Sequence, residues 1–307
     1  MAENNNQTGK ANKLNKKALL KIGVSVILLT VVLLKIDRVQ LVQNLLMMNP
    51  WYIPGIVVLI FANYVISSIR WKKLLIHREH SEQISVRYLT GLYFIGSFFN
   101  NFMPTSIGGD VYKVYRLGKK LGDTTTAFTA TFMERFTGVV ALLCISSGAL
   151  IKLLGPLGIG IFALAIISIP VGYICLWIAT RKIKKLAKIY DSISVYKKTP
   201  RVLVVAFITS FLVQMCAIFS QFLVFKSLGA DISPFYAAFI FPVIILASFF
   251  IPSLNGIGVQ DALYIQLIAV PTPGVTADLA VSASILYHLL RLGVSLVGGV
   301  LYAINKD

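Results

Sequence analysis

Acidic residues are scarce in this chain: 12 aspartates and glutamates stand against 29 lysines and arginines, and charged residues of both signs make up only 13% of the 307 positions. Histidine and cysteine are scarcer still, with three of each. Cys144, Cys175 and Cys216 all fall inside apolar runs, without CxxC spacing. They are expected to pack between helices and give no indication of redox compartment. No His/Cys/Asp/Glu spacing suited to a metal is present. A P-loop, a G-x-S-x-G elbow and an Asp-rich motif able to clamp a diphosphate through magnesium are also missing. The sequence therefore predicts no enzyme, no cofactor and no metal site. Short segments of alternating hydropathy are absent too, which excludes a transmembrane β-barrel.

What remains is apolar. Hydrophobic residues make up 57% of the chain, and mean hydropathy is +0.79. Several runs reach the roughly 20 residues needed to cross a bilayer as a helix. The fold class is an all-α polytopic membrane protein. Full spans are expected over about 18–36, 51–73, 125–151, 158–180, 202–228 and 277–303, and an interfacial helix over 37–50. Residues 1–17, rich in Asn and Lys, are expected to be a disordered basic N-terminus, and 18–305 a single membrane domain.

The net charge of +17 does not imply a nucleic-acid partner, because the basic residues sit mostly in loops. Placing both termini in the cytoplasm puts 23 of the 29 lysines and arginines in inner segments, with the strongest cluster in the basic loop 181–201. The expected location is the cytoplasmic membrane, multi-pass. No cleavable signal is evident.

Two stretches interrupt the apolar pattern in the same way. Residues 98–110 read FFNNFMPTSIGGD and residues 249–261 read FFIPSLNGIGVQD. Each leaves an aromatic-rich segment, breaks at a proline (Pro104, Pro252), passes through small polar residues and resumes at an aspartate. Irregular backbone cannot face lipid, since its amides and carbonyls would lack partners. Breaks at matching positions in two halves of a chain point to a transporter's binding site. The segments 88–118 and 234–270 are expected to be re-entrant broken helices. The first is flanked by Lys113, Arg116, Lys119 and Lys120 at its exit, so it opens from the basic side. The whole then reads as about six full transmembrane helices plus two re-entrant elements, arranged as inverted repeats over 51–152 and 202–303.

Ionisable residues fall where hydrocarbon would otherwise be: Asp110, Glu134, Arg135, Asp261 and Arg291, with His288 as a titratable sixth. Such residues pair with one another or face water. Arg135 lies about 15 Å and His288 about 16 Å into its helix, near the midplane. Arg291 follows His288 by one turn on the same face. Glu134 and Arg135 point about 100° apart and need partners from other segments, for which Asp110 and Asp261 are the candidates. One reading makes these ion pairs that pin broken helices to straight ones; the other makes them a polar cavity for an anionic group. Asp110 and Asp261 also suit helix N-caps. Gly108-Gly109 and Gly256-x-Gly258 permit close backbone approach and positive φ, so the helix starts beyond them could bind an anion. The candidate substrate-binding residues are Asn101, Pro104, Thr105, Ser106, Gly108, Gly109, Asp110 and Lys113 at the first break. Glu134 and Arg135 follow on the next span. Pro252, Ser253, Asn255, Gly256, Gly258 and Asp261 form the second break, with His288 and Arg291 on the last span. Glu134 and His288 are the candidate proton-coupling groups.

At Asn101, Pro104, Gly108-Gly109-Asp110, Glu134-Arg135 and Gly138, and again at Pro252, Gly256-x-Gly258, Asp261 and Arg291, the chain resembles a family of transmembrane proteins. It is the flippase-like family that forms the membrane region of lysylphosphatidylglycerol synthases (multiple peptide resistance factors). The resemblance covers about 15–305. Lys113 stands where an arginine is usual, and Asp261 where a glutamate is. What the resemblance implies is translocation of an anionic phospholipid, an aminoacyl-phospholipid or a polyprenyl-linked lipid. The two-domain synthases also carry a soluble aminoacyl-transferase domain. With a longest polar loop of about 20 residues, this chain has no room for one, so synthase activity is not expected. Membrane lipids are the expected partners, with a separate soluble synthase or glycosyltransferase, and a second copy in a homodimer, as candidates. A small-anion or metabolite carrier, or a membrane subunit working with a separate synthase, are the alternatives.

Overall fold

A computed structural model describes residues 38–75, 83–102, 108–181, 184–251, 253 and 256–304. All regular structure among them is helical. The short helix α1 (Arg38–Leu46) is followed by the long helix α2 (Tyr52–Leu74) and then by two arms, α3 (Val86–Phe102) and α4 (Gly108–Leu121). Next come α5 (Thr124–Leu154), α6 (Pro156–Thr180), the basic helix α7 (Lys184–Lys198) and α8 (Pro200–Ser227). The chain closes with α9 (Pro234–Phe250), the short α10 (Val259–Tyr264), a π-helical turn (Ile265–Ala269) and α11 (Ala277–Ile304). Five of these, α2, α5, α6, α8 and α11, are long and apolar enough to cross a membrane, and they match five of the six expected spans. The remaining expected span, about 18–36, and the N-terminal tail lie outside the described residues.

The helix boundaries follow from local chemistry. Asp123 caps α5, its carboxylate accepting from the amides of Thr125 and Thr126 at 2.9 and 3.2 Å. Gly155, at φ 55°, ends it, and Pro156 opens α6 where a missing amide costs nothing. Pro200 and Pro234 open α8 and α9 in the same way.

The two arms of each broken element run antiparallel. In the first, the Tyr88 hydroxyl donates to the Arg116 carbonyl at 3.4 Å, and near the tip the Gly109 amide donates to Asn100 Oδ1 at 2.7 Å. A Cβ on Gly109 would overlap the Gly96 carbonyl, so the arms meet backbone to backbone. In the second, the Tyr236 hydroxyl donates to the Leu267 carbonyl on the π-helical turn, and Phe241 meets Tyr264 ring to edge.

Helix, hairpin, helix therefore occurs twice, as α2–(α3,α4)–α5 and α8–(α9,α10)–α11, and the sets pack reciprocally. α2 lies along α8, with Gly55 beside Leu223, Asn63 donating to the Val213 carbonyl at 2.9 Å and Arg70 donating to Ser210 at 2.8 Å. Numbers rise on one helix as they fall on the other, so α2 and α8 are antiparallel. α11 packs on α3, where Asn101 donates to Ser295 at 2.7 Å and Gly298 sits against the Phe94 carbonyl. α5 packs on α9, with Leu142, Ala149 and Leu150 against Val243 and Leu246. The closing helix of each set thus covers the first arm of the other set's hairpin.

α7 lies outside the bundle's spans and is tied to it by Tyr196, whose hydroxyl donates to the Leu74 carbonyl at 2.6 Å. Burial pushes that phenol's pKa well above its ordinary value. Cys144 and Cys175 differ from the expectation of packed cysteines: both lie exposed, and only Cys216 is partly buried.

Candidate functional site

Both hairpins and the four helices α2, α5, α8 and α11 enclose a central cavity of about 330 Å³. Its two halves differ chemically. Toward the first hairpin it is charged. Asp110, in the first turn of α4, has each oxygen engaged: Oδ1 lies 2.9 Å from Lys113 Nζ and Oδ2 lies 2.6 Å from Arg135 Nη2. Glu134 accepts from Arg70 Nη2 at 2.7 Å through Oε1, and its Oε2 lies 3.6 Å from Lys113 Nζ. The Lys113 ammonium also sits 3.8 Å from the centre of the Tyr93 ring and 5.0 Å from that of Trp71. Arg135 differs from its neighbours. Its side chain is 39% exposed, whereas those of Arg70, Lys113 and Glu134 are at most 5% exposed, so Arg135 presents its guanidinium to the cavity while Asp110 orients it. Phe249, at the end of α9, lies 5.9 Å from that guanidinium. Arg135 thereby touches both hairpins.

Toward the second hairpin the lining is polar but uncharged apart from Arg291. The Tyr264 hydroxyl donates to Gln221 Oε1 at 2.7 Å and accepts from Gln260 Nε2 at 2.7 Å. Gln221, Gln260, Ser220 and Ser248 line the cavity, and Arg291 reaches it beside the Tyr287 ring, 5.5 Å from the ring centre. Among the described residues, four cations (Arg70, Lys113, Arg135, Arg291) and two carboxylates (Asp110, Glu134) line the cavity. Its net charge is positive.

Of the residues singled out in the sequence, Asp110, Lys113, Glu134, Arg135, Gly256 and Arg291 line the cavity. Gly108 and Gly109 are buried at the start of α4, where Gly109 makes the close arm-to-arm contact described above. Asn101 faces α11 instead, and its neighbour Asn100 lines the cavity and binds the Gly109 amide. Ser253 accepts from the Gly256 amide at 3.2 Å. Gly256 and Gly258 hold φ at 92° and 84°, as the positive-φ expectation required. His288 is half-buried behind the second break, its Cε1 3.9 Å from where a Gly256 Cβ would stand. Pro104, Thr105, Ser106, Pro252 and Asn255 lie outside the described residues.

Three expectations need correction. Asp261 does not pair with Glu134 or Arg135. One of its oxygens caps the second break, accepting from the Gly258 amide at 2.6 Å, and the other has no hydrogen-bond partner. Asp110, by contrast, serves two cations rather than a backbone amide. Finally, Arg70 and Lys113, counted with the cytoplasmic loops, are buried in the core. Arg70 is the main residue that sequence reasoning missed. It stands beside Lys72 and Lys73 at a span end, where positive charge is ordinarily a loop feature; only Ser67 and Ser68 just before it hinted at a polar face. Gln214, which donates to the Gly138 carbonyl at 3.4 Å, and Gln221 were also missed. Two amides seven residues apart in an otherwise apolar span are the pattern that could have found them.

Among the described residues, no three His, Cys, Asp or Glu side chains come together so as to hold a metal. Residues 18–299 match a family model described as the lysylphosphatidylglycerol synthase TM region. No match is found among curated proteins or among solved structures.

Proposed function

The chain belongs to the lysylphosphatidylglycerol synthase TM-region family, and from that premise we propose that it moves an anionic lipid headgroup across the cytoplasmic membrane through the central cavity. The observation that carries this reading is the net-positive cavity at which both broken elements meet, with Arg135 and Arg291 presented to it from two different spans. Buried cations within a membrane bundle are costly unless something draws on them. A phosphodiester is the group that a pair of guanidiniums recognises through planar, forked donors. The acyl chains stay in the bilayer, since a cavity of about 330 Å³ is at the small end of ligand sites.

The transport cycle follows from the reciprocal packing. Antiparallel α2 and α8, with each closing helix laid on the other set's hairpin, is the arrangement that two inverted repeats would produce. In this reading the first hairpin re-enters from the cytoplasmic side and the second from outside, both termini are cytoplasmic, and the two halves rock about the α2–α8 contact. Arg135, bound to one hairpin and touching the other, is the hinge point at the headgroup. Glu134 is held by two cations and serves as structure. The chain acts as a translocator, not as a synthase.

Mass spectrometry of lipids retained on the purified protein tests this. The wild type is expected to enrich one anionic or lipid-linked species, and Arg135→Gln with Arg291→Gln to lose it. Equal lipid content in both proteins, with a water-soluble anion bound by the wild type alone, would replace the lipid reading with that of a small-anion carrier.

A further inference from the structure

In the charged half of the cavity each acid already faces a cation. Both oxygens of Asp110 lie within 3 Å of a cation, and Glu134 gives Oε1 to Arg70 while its Oε2, buried and without a hydrogen-bond partner, faces the Lys113 ammonium at 3.6 Å. No other described carboxylate lines the cavity, and the stretches 103–107 and 254–255, with Pro252, contain no Asp or Glu. Asp261, which keeps one oxygen without a hydrogen-bond partner, is not among the lining residues. An ammonium group entering this space would meet four cations and neutralised acids.

The opposite half offers a different chemistry. Gln221, Gln260 and Tyr264 form one hydrogen-bonded chain. Gln260 uses its amide nitrogen in that chain, and its carbonyl oxygen lies beside Gly256 at the break. Ser248 Oγ is buried without a hydrogen-bond partner, and Ser248 lines the cavity. A hydroxyl and an amide carbonyl satisfy an alcohol, which both donates and accepts, whereas an ammonium would find in them acceptors but no negative charge to offset the four cations.

Resting on the lipid-translocation reading above, we propose that the cavity selects a net-anionic phosphodiester headgroup bearing neutral hydroxyls and rejects one that carries an ammonium. The phosphodiester sits between Arg135 and Arg291, and the hydroxyls reach Ser248 and Gln260. An aminoacylated headgroup is excluded because its amine would be stripped of water in a net-positive space whose two carboxylates already face cations. Specificity here comes from a repulsive element as much as from a matching one. The chain would then handle the unmodified lipid even though its family is named for the lysylated one.

The test is translocation by the full-length protein in proteoliposomes, using fluorescent phosphatidylglycerol, its lysyl ester and phosphatidylcholine in parallel vesicles. Phosphatidylglycerol is expected to move at least about tenfold faster than the lysyl ester, a lower bound given the cost of an unpaired buried charge. Equal or faster movement of the lysyl ester overturns the selectivity and leaves the translocation reading intact. Movement of none of the three overturns both. Gln221→Glu supplies a second readout, because it places a carboxylate in the amide half, where Arg291 is the one cation among the described lining residues. It is expected to raise the lysyl ester relative to phosphatidylglycerol by about tenfold. A Gln221→Glu protein that translocates phosphatidylglycerol with the wild-type preference would count against the argument.

Discussion

Glu134 sits at 4% exposure between Arg70 and Lys113, so its removal strands the Arg70 guanidinium in a low-dielectric interior and leaves Lys113 to Asp110 alone. Glu134→Ala is expected to destabilise the protein by about 3–5 kcal/mol, as breaking one side of a buried pair does elsewhere. Loss of monodisperse protein in detergent, with a lowered thermal midpoint, is the readout; a stable, well-behaved variant would show the network to be slack. Arg135→Gln differs in kind. Its side chain is partly exposed and Asp110 keeps Lys113, so the variant should fold, with loss confined to headgroup binding. The contrast explains what could be read from sequence. Asp110, Glu134, Arg135 and Arg291 were legible because charge is rare in apolar runs. Arg70 was not, because a cation at a span end looks the same whether it turns outward to water or inward to an acid.

At the scale of elements, the hairpins and their neighbours are held by close backbone approach. Gly298 on α11 lies against the Phe94 carbonyl of α3, and an added Cβ there would overlap it. Gly298→Val should push α11 off the first hairpin and lower the thermal midpoint, whereas the same change at Gly293, where a Cβ meets open space, should be tolerated. Asn101 and Ser295 meet across this contact at 2.7 Å. In a background without the native cysteines, Asn101→Cys with Ser295→Cys should cross-link readily in membranes, and failure would mean that α3 and α11 are not neighbours there. Element boundaries were well marked in the sequence, since Pro156, Pro200 and Pro234 open helices and Gly155 closes one. The course of the chain between arms was not, because nothing local says that Asn101 faces another helix while Asn100 faces the cavity. Only the antiparallel folding of the hairpin and its packing on α11 decide that.

At the scale of the whole molecule, the proposed transport rests on two helix–hairpin–helix sets meeting at one cationic space. Moving Arg70 and Lys113 from loop to core leaves the basic excess of the α6–α8 connection and the N-terminal segment intact, so the expected orientation stands on the remaining charges. An exposed residue on each side of α8 checks it: a membrane-impermeant thiol reagent on intact cells should label Asp231→Cys and spare Lys198→Cys, and the reverse pattern would invert the topology. The most direct measurement is the rate of phosphatidylglycerol translocation in proteoliposomes, wild type against Arg135→Gln with Arg291→Gln. Rapid movement is expected in the first, with a fall to the protein-free rate in a folded double variant. Equal rates in the two would contradict the claim that these guanidiniums hold the travelling headgroup.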